Sequence, residues 1–567
     1  MLYFILYENS GENRKRQRGE SDMENAPWWK QRVIYQIYPM SFKDSNGDGV
    51  GDLRGIIEKL DYIHDLGAGA IWLSPVYDSP MEDNGYDIRD YYSVNPLFGT
   101  MQDMEELISE AHRRDLRIIM DLVLNHTSNQ HEWFRKSVEG IEPYNDFYIW
   151  KPPVNGKKPN NWNGFFGGDV WEYVPARGAY YLHLFGKGQP DLNYRNPLLL
   201  DEIRKMLKFW LDKGVDGFRC DVINILFKES FENGRLGLPR GLEHYRSTRG
   251  NHRILQDLQE TVFRPYHAFT VGESVLVTPE EANDFVAGEE RELDQIFYFD
   301  HLCSNQIVVK WFRKKFVPAV FQEQIVKWMK TVDWNANSLE SHDQPRSVSC
   351  IGNDGRYLSS SAKMLGMLLL SLKGTPYLYQ GEEIGMTNYP FRIPEDVRDL
   401  EAFNALRIAK KIGIPAHVRQ KMIWSVSRDN ARTPVQWDSS PNAGFSQNAP
   451  WIPVNPNYDT VNINNQIKDE YSVLNFYKRM IALRNTDEVL RLGDFQLNSC
   501  GEVFDFRRSL SGSTYRILLN FTEKTQQKSN VEGIILISTL GDHKGPVGIL
   551  SPFEGLIIKE TVYHEKM

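Results

Sequence analysis

The chain has 567 residues, of which 41% are hydrophobic and 25% charged, and its 66 basic and 75 acidic side chains give a formal net charge of −9. The length is too great for one ordinary domain, the composition is typical of a soluble globular protein, and the charge argues against nucleic acid or an anionic membrane as a partner. No apolar run reaches the roughly 18 residues of a membrane span, and four scattered cysteines predict free thiols in a reducing, cytoplasmic compartment.

Residues 1–26 are predicted to be a disordered N-terminal extension. The apolar run at residues 2–7 has no positive segment before it, so it does not fit a signal peptide. The basic run at residues 13–18 (NRKRQR) is typical of a solvated tail. Met23 stands just before the first ordered-looking segment, so we expect residues 1–22 to be either disordered or absent from a chain that starts at Met23.

The loop after the first predicted strand, residues 44–52 (DSNGDGVGD), carries oxygen ligands at every second position between glycines. Hard cations are wrapped in this way. The twelfth position is Gly55 rather than Glu, and the loop follows a strand, so it does not fit an EF-hand. The alternative is a Gly- and Asp-rich turn without metal. We predict one structural Ca²⁺, or Mg²⁺, and no organic cofactor; the predicted ligands are Asp44, Asn46, Asp48, the Val50 carbonyl and Asp52.

Strands and helices alternate through most of the chain. This alternation predicts a parallel sheet covered by helices, and eight strands fit a closed (β/α)8 TIM barrel better than an open sheet. We assign the barrel to residues 27–127 and 190–484. The predicted strands are residues 33–39, 70–75, 117–124, 215–222, 268–272, 293–299, 337–340 and 376–380, and the predicted helices include residues 53–66, 104–114, 200–213, 396–412 and 472–484.

Two segments depart from this alternation. Residues 128–189 are rich in Trp, Asn, Gly and Pro without a long periodic run, and their number predicts a small inserted domain B after the third strand. Residues 485–567 contain short alternating apolar runs separated by Gly, Ser and Asn. This pattern predicts a C-terminal all-β sandwich domain.

The end of the fourth strand carries a charge pair. Arg219 and Asp221 are two residues apart, so on a strand their side chains face the same side. The guanidinium would keep the carboxylate ionised and oriented, which makes Asp221 a candidate nucleophile; a structural ion pair is the alternative. Strand alternation turns Cys220 to the opposite face, where we expect it to pack in the core.

Polar side chains follow other strands as well, and in a barrel the C-terminal strand ends converge on one site. This rule predicts that Asp221, Glu273 and Asp343 lie close together at that site. Paired carboxylates without an obvious catalytic metal cluster indicate glycoside hydrolysis, which needs an ionised nucleophile and a protonated acid. We predict that Glu273 is the acid and then the base, and that Asp343 binds sugar hydroxyls. His126 and His342 would donate to hydroxyls too, unless they are structural histidines.

Four motifs in this order resemble the α-amylase superfamily, glycoside hydrolase family 13. They are residues 121–126 (DLVLNH), 217–221 (GFRCD), 272–273 (GE) and 342–343 (HD). The resemblance extends over about residues 27–567. It implies a retaining α-glucosidic mechanism, with Asp221 as nucleophile, Glu273 as acid and base, and Asp343 as transition-state stabiliser.

Further segments are similar to the oligo-1,6-glucosidase and α-glucosidase branch: residues 181–185 (YLHLF), 189–193 (QPDLN), 342–346 (HDQPR), 380–386 (QGEEIGM) and 428–437 (RDNARTPVQW). The resemblance implies release of single glucoses from non-reducing ends, with Asp87 and Arg432 closing the pocket. Val222 stands where members that favour α-1,6 bonds carry Val and maltases often carry Thr. The predicted substrate-binding residues are Asp87, His126, Phe185, Gln189, Arg219, Val222, His342 and Arg432.

Two departures from this branch leave the linkage open. Glu340 and Ser341 replace a usual Asn-Asn, and residues 274–276 (SVL) replace Met-Pro-Gly. We expect both near the leaving-group side, where Glu340 would add a carboxylate.

Maltase, sucrose hydrolase, sucrose isomerase and trehalose-6-phosphate hydrolase activities stay open. A phosphate substrate would require a cationic cluster, for which the candidates are Arg235, Arg240, Arg246, Arg249 and Arg253. A transporter-type ectodomain or a carbohydrate-binding module is disfavoured, because both catalytic carboxylates are present. The expected partner is a small oligosaccharide, bound by a monomer or small homo-oligomer.

Overall fold

The computed structural model describes residues 26–237, 239–307, 310–391, 397–543 and 545–561. The predicted N-terminal extension lies outside the described residues, except for Ala26. Within these ranges, no helix combines the length and apolar character that crossing a membrane requires.

Eight parallel strands form the centre of the molecule and confirm the predicted barrel. Strands that follow one another in the chain pair in order, the eighth returns to the first with Ile34 opposite Tyr377, and a bridge from Phe297 to Ala336 joins the sixth and seventh. The sheet therefore closes. The strands are β1 (Ile34–Ile37), β2 (Ala70–Leu73), β3 (Arg117–Val123), β4 (Gly217–Asp221), β5 (Phe269–Gly272), β6 (Gln295–Ile296), β7 (Ala336–Ser338) and β8 (Thr375–Tyr379).

The barrel strands are short and mostly apolar, with polar exceptions in β4 and β7, and they are buried along almost their whole length. This is the pattern expected of parallel strands covered on both faces. Where β4 and β5 approach each other, a Cβ at Gly217 would lie 2.3 Å from the carbonyl oxygen of Phe269. Glycine is therefore required at the start of β4, the strand that carries Arg219 and Asp221.

Helices cover the outside of the barrel, and several begin at polar caps. Thr100 and Thr278 each form a capping box with the acidic residue three positions on, which fixes where the helices at 101 and 279 begin. The predicted helix at 53–66 is divided at Lys59. The helices are Leu53–Glu58, Leu60–Leu66, Met101–His112, Pro197–Asp212, Arg249–Leu258, Pro279–Val286, Pro318–Thr331, Ser347–Cys350 and Leu358–Ser371.

Between β3 and β4 the chain forms a separate small unit. It contains the helix Glu132–Val138 and a three-stranded antiparallel sheet of Trp150–Lys151, Ala179–Leu182 and Trp171–Val174. Lys228, in the loop after β4, lies with its Nζ 2.6 Å from the Asp191 carboxylate and 2.7 Å from the Asn125 side-chain oxygen. The Lys228 and Asp191 side chains are almost fully buried, so this ion pair ties the end of the insert to the barrel.

After β8 come the helices Leu400–Lys411, Ala416–Trp424, Asp429–Arg432, Ile463–Ile467, Val473–Thr486 and Glu488–Leu492. The C-terminal sheet orders its strands as Asp494–Ser499, Val503–Leu510, Ser513–Asn520, Gly555–Lys559 and Ile534–Ser538, beside a short pair of Gln526–Gln527 and Ile549–Leu550. Buried Arg508 donates to the Ser371 carbonyl at 2.6 Å, and buried Arg484 donates to the Gly374 carbonyl at 2.6 Å. These bonds fasten the C-terminal region to the barrel.

We expect Lys228→Met to lower the free energy of unfolding by about 3–5 kcal/mol, because it leaves the Asp191 carboxylate buried without its partner. Urea unfolding measures the change. The double variant Lys228→Met/Asp191→Asn, which removes both charges, should recover part of the loss. Lys187→Met is the control, since it removes a mostly exposed ion pair with Glu172 from the same region and should cost at most about 1 kcal/mol. Equal losses in both lysine variants would contradict the prediction.

Candidate active site

A single buried guanidinium holds three carboxylates at the ends of β3, β4 and β5. Arg219 Nη1 lies 2.8 Å from Asp121 Oδ1 and 2.7 Å from Asp221 Oδ1, and Arg219 Nη2 donates to Glu273 Oε2. The strand-end rule therefore brings Asp221 and Glu273 together on one cation. Asp121 lay within a motif recognised in the sequence, but the sequence analysis gave it no role.

The backbone fixes these side chains in register. The Glu273 amide donates to the Cys220 carbonyl at 2.8 Å, and the Ile223 amide donates to the Glu273 carbonyl at 2.9 Å. Between them, Val222 has φ 37° and ψ 42°, a left-handed conformation that a β-branched residue rarely adopts. Val222 belongs to the same buried apolar cluster as Leu184 of the insert and lines the same cavity as Asp221. Strain of this kind is characteristic of functional sites.

The protonation of Asp221 follows from its surroundings. Burial raises the pKa of Asp221 well above its usual range, Arg219 opposes this shift, and the charge of Glu273 adds to it. The direction of this shift is opposite to the ionised Asp221 predicted from the sequence. Arg219, which contacts the carboxylates of both Asp221 and Glu273, is the group that stabilises the Asp221 anion.

Asp343 has the opposite electrostatic environment. Burial alone would raise its pKa, but His342, Arg428 and Arg432 outweigh it and hold the pKa of Asp343 well below its usual range. Both guanidinium groups contact Oδ1, at 3.2 Å from Arg428 and 3.1 Å from Arg432, and His342 Nε2 lies 3.0 Å from Oδ2. Asp343 is therefore an ionised acceptor beside the carboxyl pair.

Aromatic rings hold His342 in place. Its ring stacks between Tyr86 and Tyr38, with centroid distances of 5.5 and 5.9 Å, and its two nitrogens contact the Tyr86 hydroxyl at 2.7 Å and the Gln36 amide at 2.8 Å. The Tyr86 hydroxyl also donates to Asp121 at 3.0 Å. No role for Tyr86 was predicted from the sequence, although it directly precedes Asp87, which was predicted to close the pocket.

The insert contributes one wall of the site. His126 is buried beside Phe185, with ring centroids 5.1 Å apart, and burial lowers the pKa of His126 to about 4, so this ring is neutral at physiological pH. Gln189 donates from Nε2 to Asp83 at 2.9 Å and lies 3.2 Å from the His126 ring nitrogen. The predicted His126, Phe185 and Gln189 therefore lie together, next to a carboxylate that the sequence analysis did not select.

Asp83, and not the predicted Asp87, lies in the wall of the cavity. The Asp87 carboxylate is fully buried and accepts bonds from the Ser79 hydroxyl and from the Glu82 and Asp83 amides, so it closes its own turn. Asp83 instead lines a cavity of about 340 Å³ with His126, Phe185, Asp221, Val222, Glu273 and Asp343.

The prediction that Arg432 lines the pocket is corrected in the same way, because Arg428 lies there instead. This arginine is buried behind Asp343, where its Nε donates to the His342 carbonyl at 2.9 Å. Arg428 is the arginine that lines the cavity, and its Nη2 lies 3.9 Å from Asp83. Both arginines belong to the motif recognised in the sequence, in which only Arg432 had been selected.

Glu340 is not the free carboxylate that the sequence analysis placed on the leaving-group side. It is buried, with Oε2 3.0 Å from Arg346 Nη1 and Oε1 accepting from the amide and hydroxyl of Ser347 at 2.7 Å each. It therefore anchors the loop after β7. The segment after Glu273 is held in another way, since the Asn224 side chain pairs with the Val275 backbone at 2.8 and 3.0 Å.

The arginines considered for phosphate binding do not line this cavity. Arg246, for example, pairs with Glu281 at 2.8 Å. The cationic side chains among the described residues of the cavity wall are Lys310 and Arg428. Lys310 pairs with Glu401, and Arg428 pairs with Asp399 as well as Asp343. Each of these cations already has a carboxylate partner.

The loop at 44–52 is folded around its own side-chain oxygens. Asp44 accepts from the amides of Asn46, Gly47 and Gly49, at 2.6 to 3.0 Å, while Asn46 and Asp48 each accept from the amide two residues on. Asp52 accepts from Ser45 and from the first turn of the helix that begins at residue 53. The described residues contain no cluster of three or more His, Cys, Asp or Glu arranged to hold a metal.

The chain is similar to known proteins over most of its length. A family model described as the alpha amylase catalytic domain matches residues 36–493. The oligo-1,6-glucosidase of Parageobacillus thermoglucosidasius is 46% identical over 512 residues, covering 88% of this chain and 91% of that protein. The trehalose-6-phosphate hydrolase of Bacillus subtilis is 44% identical, covering 88% and 90%. The crystal structure of a trehalulose synthase from Pseudomonas mesoacidophila aligns with a TM-score of 0.90 at 39% identity, covering 94% and 100%.

The pKa of Asp83 gives a test of the site's electrostatics. Burial raises it to about 6, above the value of about 3.9 in an unfolded chain. Ionisation of Asp83 therefore destabilises the folded state as pH rises from about 4 to about 6. We expect Asp83→Asn to raise the free energy of unfolding by about 2–3 kcal/mol at pH 7 and to change it little at pH 4. Urea unfolding at both pH values measures this, and an equal effect at both would contradict it.

Proposed function

Because the chain belongs to the α-amylase family of glycoside hydrolases, we propose that it is a retaining, exo-acting α-glucosidase. It releases glucose from the non-reducing ends of short α-glucosides and prefers α-1,6 linkages, as in isomaltose, isomalto-oligosaccharides and panose. The observation that carries this proposal is the contact of one guanidinium, Arg219, with both Asp221 and Glu273. Paired carboxyls held in this way supply the nucleophile and the acid that retaining hydrolysis requires.

The reaction proceeds by double displacement. Asp221 attacks the anomeric carbon of the terminal glucose while Glu273 protonates the glycosidic oxygen, so the C1–O bond breaks and a glucosyl ester forms. Glu273 then takes a proton from water, whose oxygen attacks the same carbon and releases glucose and the Asp221 carboxylate. Asp343, kept ionised by its cationic neighbours, accepts hydrogen bonds from the sugar hydroxyls as the ring distorts.

Release of single glucoses is supported by the charged side chains beside Asp343. Asp83 and Arg428 lie 3.9 Å apart, and Arg428 contacts Asp343 at 3.2 Å, so these residues can surround a terminal glucose. Gln306, Lys310 and Glu401 line the same cavity, with Glu401 Oε2 3.8 Å from Arg428 Nε.

A preference for α-1,6 bonds is supported by Val222 and by the name of the 46% identical relative. Val222 lines the cavity directly after the nucleophile, where its side chain would contact the linkage or the leaving group. Thr has nearly the same shape as Val but adds a hydroxyl, which changes the polarity of this wall without changing its volume much. The residue is thus placed to discriminate linkages.

Hydrolysis of trehalose 6-phosphate, the reaction named for the 44% identical relative, is the main competing proposal. A phosphate needs charge-assisted donors. The two cations in the described cavity wall, Lys310 and Arg428, are paired with carboxylates, which favours a neutral leaving group.

We further propose a cytoplasmic location, because Cys220, Cys303, Cys350 and Cys500 are free thiols. The proposed partner is the sugar substrate alone, and the proposed state is a monomer or small homo-oligomer.

Initial rates of glucose release from isomaltose, maltose, sucrose and trehalose 6-phosphate test the proposal. Isomaltose should be cleaved at least about tenfold faster than the others, and Val222→Thr should narrow this ratio because it makes the wall beside the linkage polar. Asp221→Asn, which removes the nucleophile with little change of shape, is the inactive control. Faster cleavage of trehalose 6-phosphate or maltose than of isomaltose would overturn the linkage assignment.

We also propose that the loop at 44–52 binds one structural Ca²⁺, or Mg²⁺. The oxygen-only donor set of Asp44, Asn46, Asp48, the Val50 carbonyl and Asp52 suits a hard cation. Gly47 and Gly49, with φ of 83° and 92°, allow the chain to turn tightly between these donors. The loop also contacts residues far along the chain, since the Asp44 amide donates to the Phe445 carbonyl at 3.1 Å. A bound ion would stabilise this junction and take no part in the reaction.

Removing the ion should lower the unfolding temperature by several degrees and leave the rate of glucose release at 25 °C nearly unchanged, because ligand binding to the folded state adds stability. Calorimetry with EDTA, with added Ca²⁺ and with Mg²⁺ measures the shift. Asp48→Asn should reduce the dependence on added ion. An unfolding temperature that does not respond to chelator or ion would show a metal-free turn.

A further inference from the structure

A second, strongly apolar cavity adjoins the catalytic one. It has a volume of about 430 Å³ and lies between residues 163–167 of the insert and the helices Leu400–Lys411 and Ala416–Trp424. A Cβ added at Gly167 would lie 3.8 Å from Ile408 Cδ1, so Gly167 of the insert faces Ile408 across a narrow part of the cavity. We refer to this cavity as the apolar groove.

Solvent reaches much of the apolar lining of the groove. Phe312, Ile408 and Ile412 are 41%, 49% and 66% exposed. Asn163 and Glu401 supply the only polar side chains, other than an indole, among the described residues that line it. Asn163 Oδ1 accepts from the Arg240 amide, and Glu401 pairs with Lys310. The groove therefore has little to offer sugar hydroxyls, and its exposed apolar surface indicates an apolar ligand.

The apolar groove is continuous with the catalytic cavity. Phe166 and Glu401 line both. The guanidinium carbon of Arg428 lies 5.6 Å from the Phe166 ring centroid, and Arg428 also contacts the catalytic Asp343 at 3.2 Å. A substrate group that extends beyond Arg428 and Glu401 would therefore reach Phe166 and the apolar groove.

We propose that the apolar groove binds the aglycone of α-glucosides whose leaving group is an extended apolar alcohol, such as an alkyl chain. The proposal rests on the exo-acting hydrolysis proposed above, and adds a substrate class to the same catalytic site. The glucose occupies the catalytic cavity, and the alkyl chain lies along the apolar groove against Phe166 and Ile408. Water is the co-reactant. The C1–O bond breaks and the alcohol leaves with the proton from Glu273; the oxygen of water then bonds to C1 and glucose is released.

The test is kcat/KM for n-alkyl α-glucosides from methyl to octyl, below micelle-forming concentrations, beside isomaltose. Each methylene buried in the groove should raise kcat/KM about fourfold. Ile408→Asn should lower the octyl-to-methyl ratio at least about tenfold and leave isomaltose within about twofold, because Ile408 lies outside the glucose pocket. Ile467→Asn is the matched control: Ile467 is 51% exposed and lies outside the groove.

The outcomes separate this proposal from the proposed function. A flat chain-length series, with isomaltose and methyl α-glucoside both hydrolysed, would overturn the groove assignment and leave the glucosidase intact. A rising series that Ile408→Asn does not alter would overturn it too. If isomaltose is not hydrolysed, but kcat/KM for the alkyl α-glucosides rises with chain length and Ile408→Asn removes that rise, only the α-1,6 assignment is overturned. A flat series together with self-association that Ile408→Asn abolishes would assign this face to protein contact and overturn the proposal.

Discussion

The arrangement of the site depends on one buried guanidinium. Arg219 contacts Asp121, Asp221 and Glu273, which stand at the ends of three neighbouring strands, so one cation balances three acidic groups that are largely removed from water. Unpaired carboxylates at this depth would become protonated or push the strands apart. The barrel makes the arrangement possible, because parallel strands deliver their final residues to one edge at fixed spacing. Arg428 and Arg432, from a different part of the chain, balance the charge of Asp343 in the same way through two ion pairs.

The barrel and the carboxylates at its strand ends could be predicted from the sequence because both depend on short-range patterns. Each strand is a brief apolar run next to a turn, and alternation along β4 places Arg219 and Asp221 on one side. Glu273 directly follows β5, so topology alone places it at the same edge of the barrel. Asp343 lies in the loop beyond Ser338, the last residue of β7, and its assignment also relied on the His342–Asp343 motif.

Loop residues could not be assigned in the same way. Asp83 and Asp87 lie four positions apart in one turn, and the sequence does not reveal which carboxylate closes the turn and which lines the cavity; the hydrogen bonds to Asp87 decide it. Glu340 follows β7 closely, yet the buried Arg346 turns it inward. Phe166 and Glu401 meet at the cavity mouth from segments more than two hundred residues apart. Such contacts arise from tertiary packing, which no local pattern encodes.

Closure of the barrel has a consequence for how the chain is made. β1 pairs with β8, so one edge of the first strand has no partner until most of the polypeptide has been synthesised. At roughly 5–20 residues per second a ribosome needs tens of seconds for this interval. Throughout it, β1 and whichever strand was made last present unpaired backbone edges, which are templates for association with other chains. Long-range pairing of this kind also slows folding. Production of the protein in cells will therefore respond to translation speed and chaperone supply more than the stability of the finished barrel suggests.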